Sequence, residues 1–324
     1  MTERIVFAAC CILALSVLLL LAGVCYEQYS RWRLERSALK GKTFVNIHGT
    51  PLHYVKKGKG RCTVVFQSGL GSSHYIWKEV QDAVSRHAVT ISYDRNGLMF
   101  SPPSGKPVTN GNVTSELQAL LEKTACPEPY ILVGHSMAGI YLRPFIAKHK
   151  NSIAGIIFAD AAHPLQLEKA SPALLKILRI PPRWLIALTV HTGIYRILFS
   201  FIPLNPEIPV GHPLHRMEKN HFYRSYKTIL EELKNDTRNF RDARQYGHFG
   251  DLPLTVITGT SDIRYARIKN AAIREEYRQL TGELQHDLLK LSRNSRFVKA
   301  EHSGHIMQVN DAGLLVEEIR RFIC

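Results

Sequence analysis

From Ile5 to Cys25 the chain carries no charged residue. A run of that length can cross a bilayer as a helix, and it predicts a single-pass N-terminal membrane anchor. Tyr26, Tyr29 and Trp32 follow as an interfacial belt, and Arg31, Arg33, Arg36, Lys40 and Lys42 add positive charge beyond the run. Arg4 is the one cation before it, and the run is long for the apolar core of a cleaved leader, so an anchor is favoured over removal. Leu21-Ala22-Gly23-Val24-Cys25 resembles a lipoprotein cleavage box, but Val24 stands where a small residue is needed. The positive charges after the span favour a cytoplasmic main domain.

Beyond residue 42 the pattern changes to short apolar runs separated by helical stripes. Phe44 to Val55 and Cys62 to Gln67 read as strands, the first turning at His48-Gly49-Thr50-Pro51. Trp77, Val80 and Val84 mark one face of a helix, and Val89 to Tyr93 is the next strand. A helix around Ser115 to Thr124 turns Leu117, Leu120 and Leu121 inward. Tyr130 to Val133 is a strand, a helix runs to about Lys148, and Ile153 to Ala159 is wholly apolar. Buried strands alternating with helices predict an α/β fold with a mostly parallel central sheet covered on both faces. From about 164 to 250 no buried strand is legible. Ser171-Pro172 opens a helix, Pro181-Pro182 ends it, and further helical runs follow at Trp184 to Val190, Ile194 to Ile202 and along the stripe from Phe222 to Phe240. Strand character returns at Leu254 to Thr258 and Arg296 to Lys299, and a last helix lies near Asp311 to Ile323. The expected organisation is an anchor and juxtamembrane segment over 1–42, one domain over 43–324, and a helical cap over 164–250 inserted within it.

At 45% hydrophobic and 21% charged residues the composition is globular. The net charge of +15 raises nucleic acid as a partner, yet there is no zinc-finger spacing, aromatic RNA-binding signature or long basic block; anionic lipid suits the basic N-terminal region better. The six cysteines form no C-x-x-C pair, so neither a zinc site nor a disulfide framework is indicated. The histidine pairs His212/His215 and His302/His305 lack further ligand spacing, and no metal or other cofactor is expected.

The candidate chemistry centres on Gly134-His135-Ser136-Met137-Ala138-Gly139, directly after an apolar strand. A serine on a sharp strand-to-helix turn is exposed at the sheet edge, and the residues two before and two after it must be small. Ala138 departs from the commoner glycine but keeps the size rule. A serine hydroxyl needs a base, normally histidine, and the base needs an acid to orient it. His305, in Ser303-Gly304-His305 before the final helix, is the base candidate, with His302 as a nearby decoy. Two acids compete. Asp262 follows a strand in Thr258-Gly259-Thr260-Ser261-Asp262 and suits the chain order Ser, Asp, His. Asp160 follows the strand next to the serine unit and can reach the same histidine. Asp262 is the expected partner and Asp160 the alternative. For the oxyanion, the expected backbone donors are Met137 and Leu70, the latter in the glycine-rich loop Ser68-Gly69-Leu70-Gly71. No Gly-Lys-Ser/Thr follows that loop, which argues against phosphate binding.

These pieces, together with Tyr93-Asp94-Arg95-Asn96-Gly97, Ala159-Asp160-Ala161-Ala162-His163 and Ser303-Gly304-His305-Ile306-Met307-Gln308, resemble the α/β-hydrolase superfamily over residues 43–324. The chain particularly resembles a group of mostly bacterial, often membrane-anchored hydrolases with a Ser-Gly-Leu-Gly oxyanion loop and a Ser-Gly-His-x-Ile-Gln histidine loop. It departs from them at Met99, where a second glycine is frequent, at Ala138, and at Met307-Gln308. The resemblance implies the α/β-hydrolase fold and a serine hydrolase. Dehalogenating relatives use an aspartate nucleophile, which Ser136 argues against. The expected substrate is a small-molecule or lipid-like ester, since Lys176 to Pro203 mixes aromatic and basic residues as interfacial helices do. Amide, peptide or thioester cleavage and cofactor-free haloperoxidase chemistry use the same groups, and a non-catalytic binding module is the reading from another class.

Overall fold

The computed structural model describes residues 1–323; Cys324, one of the six cysteines, lies outside the described residues. The chain runs α1 (Thr2–Ala38), β1 (Thr43–Ile47), β2 (Thr50–Lys57), β3 (Thr63–Gln67), α2 (Lys78–Val84), β4 (Val89–Tyr93), α3 (Asn110–Lys123), β5 (Tyr130–His135), α4 (Ala138–Lys148) and β6 (Ile153–Ala159). Five helices follow: α5 (Gln166–Lys169), α6 (Pro172–Ile177), α7 (Arg183–His191), α8 (Ile194–Leu198) and α9 (Pro213–Ala243). The chain closes with β7 (Leu254–Gly259), α10 (Ala271–Asp287), β8 (Ser295–Ala300), α11 (Met307–Asn310) and α12 (Ala312–Arg320).

The eight strands form one sheet in the order β1-β2-β4-β3-β5-β6-β7-β8. β1 and β2 form an antiparallel hairpin, β2 pairs antiparallel with β4, and every later pairing is parallel. The wholly apolar runs in the sequence are explained by this position. β3, β4, β5 and β7 are buried along their whole length, because helices cover both faces of a parallel sheet. Successive residues serve opposite faces. Val65, Ile91 and Leu132 pack with Leu117 of α3 and Leu142 of α4. Val64, Phe66 and Val133 pack with Val80 of α2 and Ile319 of α12.

Local signals set the helix starts. Thr109 accepts a hydrogen bond from the Asn112 N–H and caps α3 several residues before the apolar stripe that marks it in the sequence. Ser171 caps α6 with Pro172 in its first turn. The helix expected around Phe222 to Phe240 begins earlier, at Pro213, where His212 serves as the cap. The helices α5 to α9 lie between β6 and β7 and cover the carboxyl ends of the strands.

α1 is long and apolar enough to cross a membrane, and no residue of its most apolar window is buried. Its second half is not free. Glu27 is fully buried and accepts hydrogen bonds from Arg31 Nε at 2.7 Å and from Arg196 Nε at 2.7 Å and Nη2 at 3.0 Å. Glu35 accepts from Tyr223 Oη at 2.6 Å and Arg224 Nε at 2.9 Å, and Ala38 packs with Met99 and Phe100. The second half of α1 is thus packed against the folded domain.

Gly259, at the end of β7, tests how tightly the strand ends are packed: a Cβ there would overlap the Gly304 carbonyl. Gly259→Ala is expected to destabilise the full chain by at least about 3 kcal/mol, because backbone rather than a flexible side chain must give way. Denaturant melts of the two proteins in one detergent check this.

Candidate active site

Ser136 sits between the end of β5 and the start of α4 with φ of 54°, a conformation costly for a non-glycine residue. Hydrogen bonds hold it there: the Ser136 carbonyl accepts from Gly139 N at 3.0 Å and Ala162 N at 2.7 Å, and its N–H donates to Ala159 O. Space is short around the turn. A Cβ at Gly134 would stand 2.7 Å from Leu142 Cδ1 and 3.2 Å from Ala138 Cβ, and one at Gly139 would stand 2.7 Å from Ala161 Cβ. The methyl of Ala138 is therefore accommodated by the bare glycine opposite it.

His305 reaches the turn from the loop after β8. Its Nε2 lies 3.0 Å from Ser136 Oγ, and its Nδ1 makes a short hydrogen bond to Asp160 Oδ2. Asp160, with φ of 48°, ends β6, the strand beside β5, and its Oδ2 is also paired with Arg264. Burial alone would raise the Asp160 pKa. Arg264 and the hydrogen bond from His305 outweigh it and lower the carboxyl from 3.8 to about 2. Burial likewise opposes the Arg264 charge, and Asp160 more than restores it.

Asp262, the acid favoured by chain order, is not beside His305. The loop after β7 turns into a short 3-10 helix over Asp262–Tyr265, and Asp262 is directed outward. Its carboxylate is 84% exposed and pairs with Arg278 Nη2 at 2.6 Å. The strand order explains the change: β6 lies beside β5, so the acid at its end stands next to the Ser136 turn to which His305 extends. The β7 loop contributes Arg264, the counterion of Asp160, instead of the acid.

Two glutamates from the helical segment hold the loops of the site, and neither carried a sequence signal. Glu207 is buried and accepts from His305 N and Ile306 N, each at 2.9 Å, and from Asn310 Nδ2 at 3.3 Å. A Cβ on Gly304 would press on the Glu207 carboxylate. Glu232 accepts from Gly71 N at 2.6 Å and from Arg95 Nε at 2.9 Å. Arg95 in turn donates to the Ser68 and Gly69 carbonyls, each at 2.7 Å. The glycine-rich loop is thereby fixed beside Ser136, where a Cβ on Gly69 would stand 2.8 Å from Ser136 Cβ. Leu70 and Met137 both line the space at Ser136, and neither backbone N–H donates a hydrogen bond among the described residues. His135 donates from Nε2 to His305 O at 2.8 Å, and burial, reinforced by the neighbouring His305, lowers its pKa to about 3, so its ring is neutral.

Two cavities flank Ser136. One, of about 240 Å³, is bounded by Gly71, Met99, Phe222 and Ile229. The other, of about 570 Å³, is lined by Leu167, Leu175, Leu233, Leu280 and Leu284 and extends to Leu178 and Ile180. Each holds one carboxyl displaced upward: burial raises Glu218 in the first to about 7, and burial with the Glu232 charge raises Asp236 in the second to about 7. Met99, which stands where similar chains often have glycine, adopts φ of 46° and is held by a hydrogen bond from its N–H to Ser225 Oγ at 2.8 Å.

His53, His74 and Asp94 are close enough to hold a metal ion. Their hydrogen bonds argue for a structural role. Asp94 Oδ1 accepts from His74 N and Nδ1 at 2.8 Å, and Oδ2 accepts from His53 Nδ1 at 2.8 Å. The ring nitrogens face the carboxylate as donors, which leaves no converging lone pairs for a cation.

Comparison with known proteins agrees with the fold. Residues 63–185 match the family described as alpha/beta hydrolase fold. The chain is 25% identical over 271 residues to the uncharacterized protein YqjL of Bacillus subtilis, covering 83% of this chain and 87% of that protein. It is 24% identical over 303 residues to an AB hydrolase superfamily protein of Gibberella zeae, covering 86% and 90%. Among solved structures, the epoxide hydrolase CorEH superposes with a TM-score of 0.65 at 16% identity, covering 87% of this chain and 97% of that one. The enol-lactonase from Burkholderia xenovorans gives 0.61 at 16% identity, covering 86% and 99%. The family match over residues 63–185 and these superpositions show the α/β-hydrolase fold in this chain.

The lowered pKa of Asp160 sets a pH window. A carboxylate with a depressed pKa stabilises the fold above its unfolded pKa and loses that contribution as pH falls through its folded pKa. Stability is therefore expected to fall between about pH 4 and pH 2 by on the order of 2 kcal/mol from this group. Asp160→Asn should make that acid limb shallower by this share while the part carried by the likewise lowered Asp94 remains, as read by denaturation at a series of pH values. Glu207→Ala leaves the buried amides of the histidine loop without an acceptor and should destabilise the chain by about 3 kcal/mol, measured by the same melts.

Proposed function

We propose that this chain is a serine hydrolase of carboxylic esters acting through an acyl-enzyme. The observation that carries the reading is the contact of Ser136 Oγ with His305 Nε2 at 3.0 Å while His305 Nδ1 is held by Asp160. In this mechanism His305 takes the Ser136 proton as Oγ attacks the ester carbonyl. Asp160 fixes the tautomer that presents a free Nε2 and stabilises the imidazolium that forms. The Leu70 and Met137 amides receive the oxyanion, preorganised by the Arg95–Glu232 pair and the turn at Ser136. The alcohol leaves with the proton from His305. Water, deprotonated by the same ring, then releases the acid.

The larger cavity favours an apolar acyl group, since leucines with Ile180 and Phe240 make up much of its wall and its volume suits a long chain better than an acetyl group. Amide and thioester cleavage would use the same groups and are distinguished by substrate panels. α1 tethers the enzyme to a membrane in this reading.

A fluorophosphonate probe should label the wild-type chain and not Ser136→Ala; equal labelling of both would remove Ser136 as nucleophile. Asp160→Asn should lower kcat on a p-nitrophenyl ester by about 10⁴-fold, as expected of an acid that sets the histidine tautomer. Asp262→Asn should stay within about threefold of wild type, because an exposed surface pair contributes little.

A further inference from the structure

The second half of α1 meets the helical segment at one level. Gly23 abuts the Thr192 carbonyl at the α7–α8 junction, which leaves no room for a Cβ. Arg31 Nη2 donates to Val190 O at 2.8 Å, and Glu27 is closed in by Arg196 and Tyr195. The buried Glu27–Arg196 pair cannot be parted cheaply, because each charge would be left without its partner. These contacts fix where α7 and α8 stand along α1. Residues 5–22 of α1 rise about 27 Å, close to the ~30 Å hydrocarbon core of a bilayer. The α7–α8 junction therefore lies at the height where the apolar run ends, the level of the membrane surface.

That same part of the domain exposes large apolar side chains. Trp184 is 67% and Phe201 79% exposed, and Leu178, Ile180, Ile197 and Ile202 are exposed beside them. Lys176, Arg179 and Arg183 are exposed among them. A soluble surface rarely carries so much contiguous apolar area. Cations interspersed with aromatic and aliphatic groups suit a leaflet of anionic lipid, with acyl chains around the apolar groups and headgroups at the cations. Leu178, Arg179 and Ile180 also belong to the wall of the larger cavity at Ser136.

The geometry points to a second membrane contact: the face made by α6 to α8 and their connections is seated in the anionic leaflet that α1 leaves, held there by the Glu27–Arg196 clasp. The larger cavity then opens toward lipid at Leu178 and Ile180. Resting on the ester-hydrolase reading, its substrate class is an acyl ester resident in the bilayer, which reaches Ser136 without crossing water.

The test uses the full chain with Trp32→Phe, reconstituted in vesicles of phosphatidylserine and phosphatidylcholine brominated on its acyl chains. Of the remaining tryptophans, Trp77 is fully buried and Trp184 reports the face. Bromolipid is expected to quench the Trp184 emission, and Trp184→Phe should abolish the quenchable part. Emission indifferent to bromination overturns the seating. A second variant, Ile197→Asp with Phe201→Asp, should lower hydrolysis of a long-chain ester carried in vesicles by about tenfold, the factor that 1.4 kcal/mol of lost apolar contact carries. Its hydrolysis of a soluble short-chain ester should be unchanged. Equal loss on both substrates overturns access from the leaflet. A parent chain without Ser136-dependent hydrolysis of either ester overturns the ester reading, and the quenching result then decides the seating by itself.

Discussion

A carboxylate buried as completely as that of Asp160 is tolerable only with its charge compensated on the spot. Here the compensation comes from two sides: Arg264 from the loop after β7, and His305 from the loop after β8. That small cluster brings together the ends of β6, β7 and β8, and Ser136 at the end of β5 completes it. The left-handed backbones of Ser136 and Asp160 and the bare glycines at 134, 139, 259 and 304 follow from the same crowding. Strain of this kind persists where the surroundings over-determine it, and the hydrogen bonds that the Ser136 carbonyl accepts from Ala162 N and Gly139 N do that here.

The helical segment between β6 and β7 does more than cover the site. Glu207 fastens the histidine loop, and Glu232 with Arg95 fastens the glycine-rich loop, so both loops that flank Ser136 depend on carboxylates from outside the sheet. α1 is attached to the same segment through Glu27 and Glu35. Two of these pairs, Glu27–Arg196 and Arg95–Glu232, are buried and would be costly to open, so α1, the helical segment and the glycine-rich loop are held together as one unit.

Much of the fold was legible in the sequence because burial on both sides of a parallel sheet writes itself as uninterrupted apolar runs. Ile153 to Ala159 is such a run, and β6 occupies those residues. The elbow was equally legible, since the turn admits only small residues around Ser136 and Gly134 and Ala138 meet that demand. Met99 marks the opposite case. Its left-handed backbone departs from the local preference and is held by Ser225, a residue on a distant helix that no local pattern connects to it.

What the sequence determined by itself was the set of chemical groups and their mounting: a serine on a strained turn, a histidine before the last helix, two aspartates at strand ends, and an apolar run long enough for a membrane. Only the tertiary structure showed which of the two aspartates stands beside His305. Both end strands, and chain order favoured Asp262; the sheet order instead put β6 next to β5 and turned Asp262 toward Arg278 at the surface. Glu27, Glu207 and Glu232 were likewise invisible. A glutamate in a helix or loop reads as solvated until the fold shows that its partners lie many residues away and that water has been excluded from all of them.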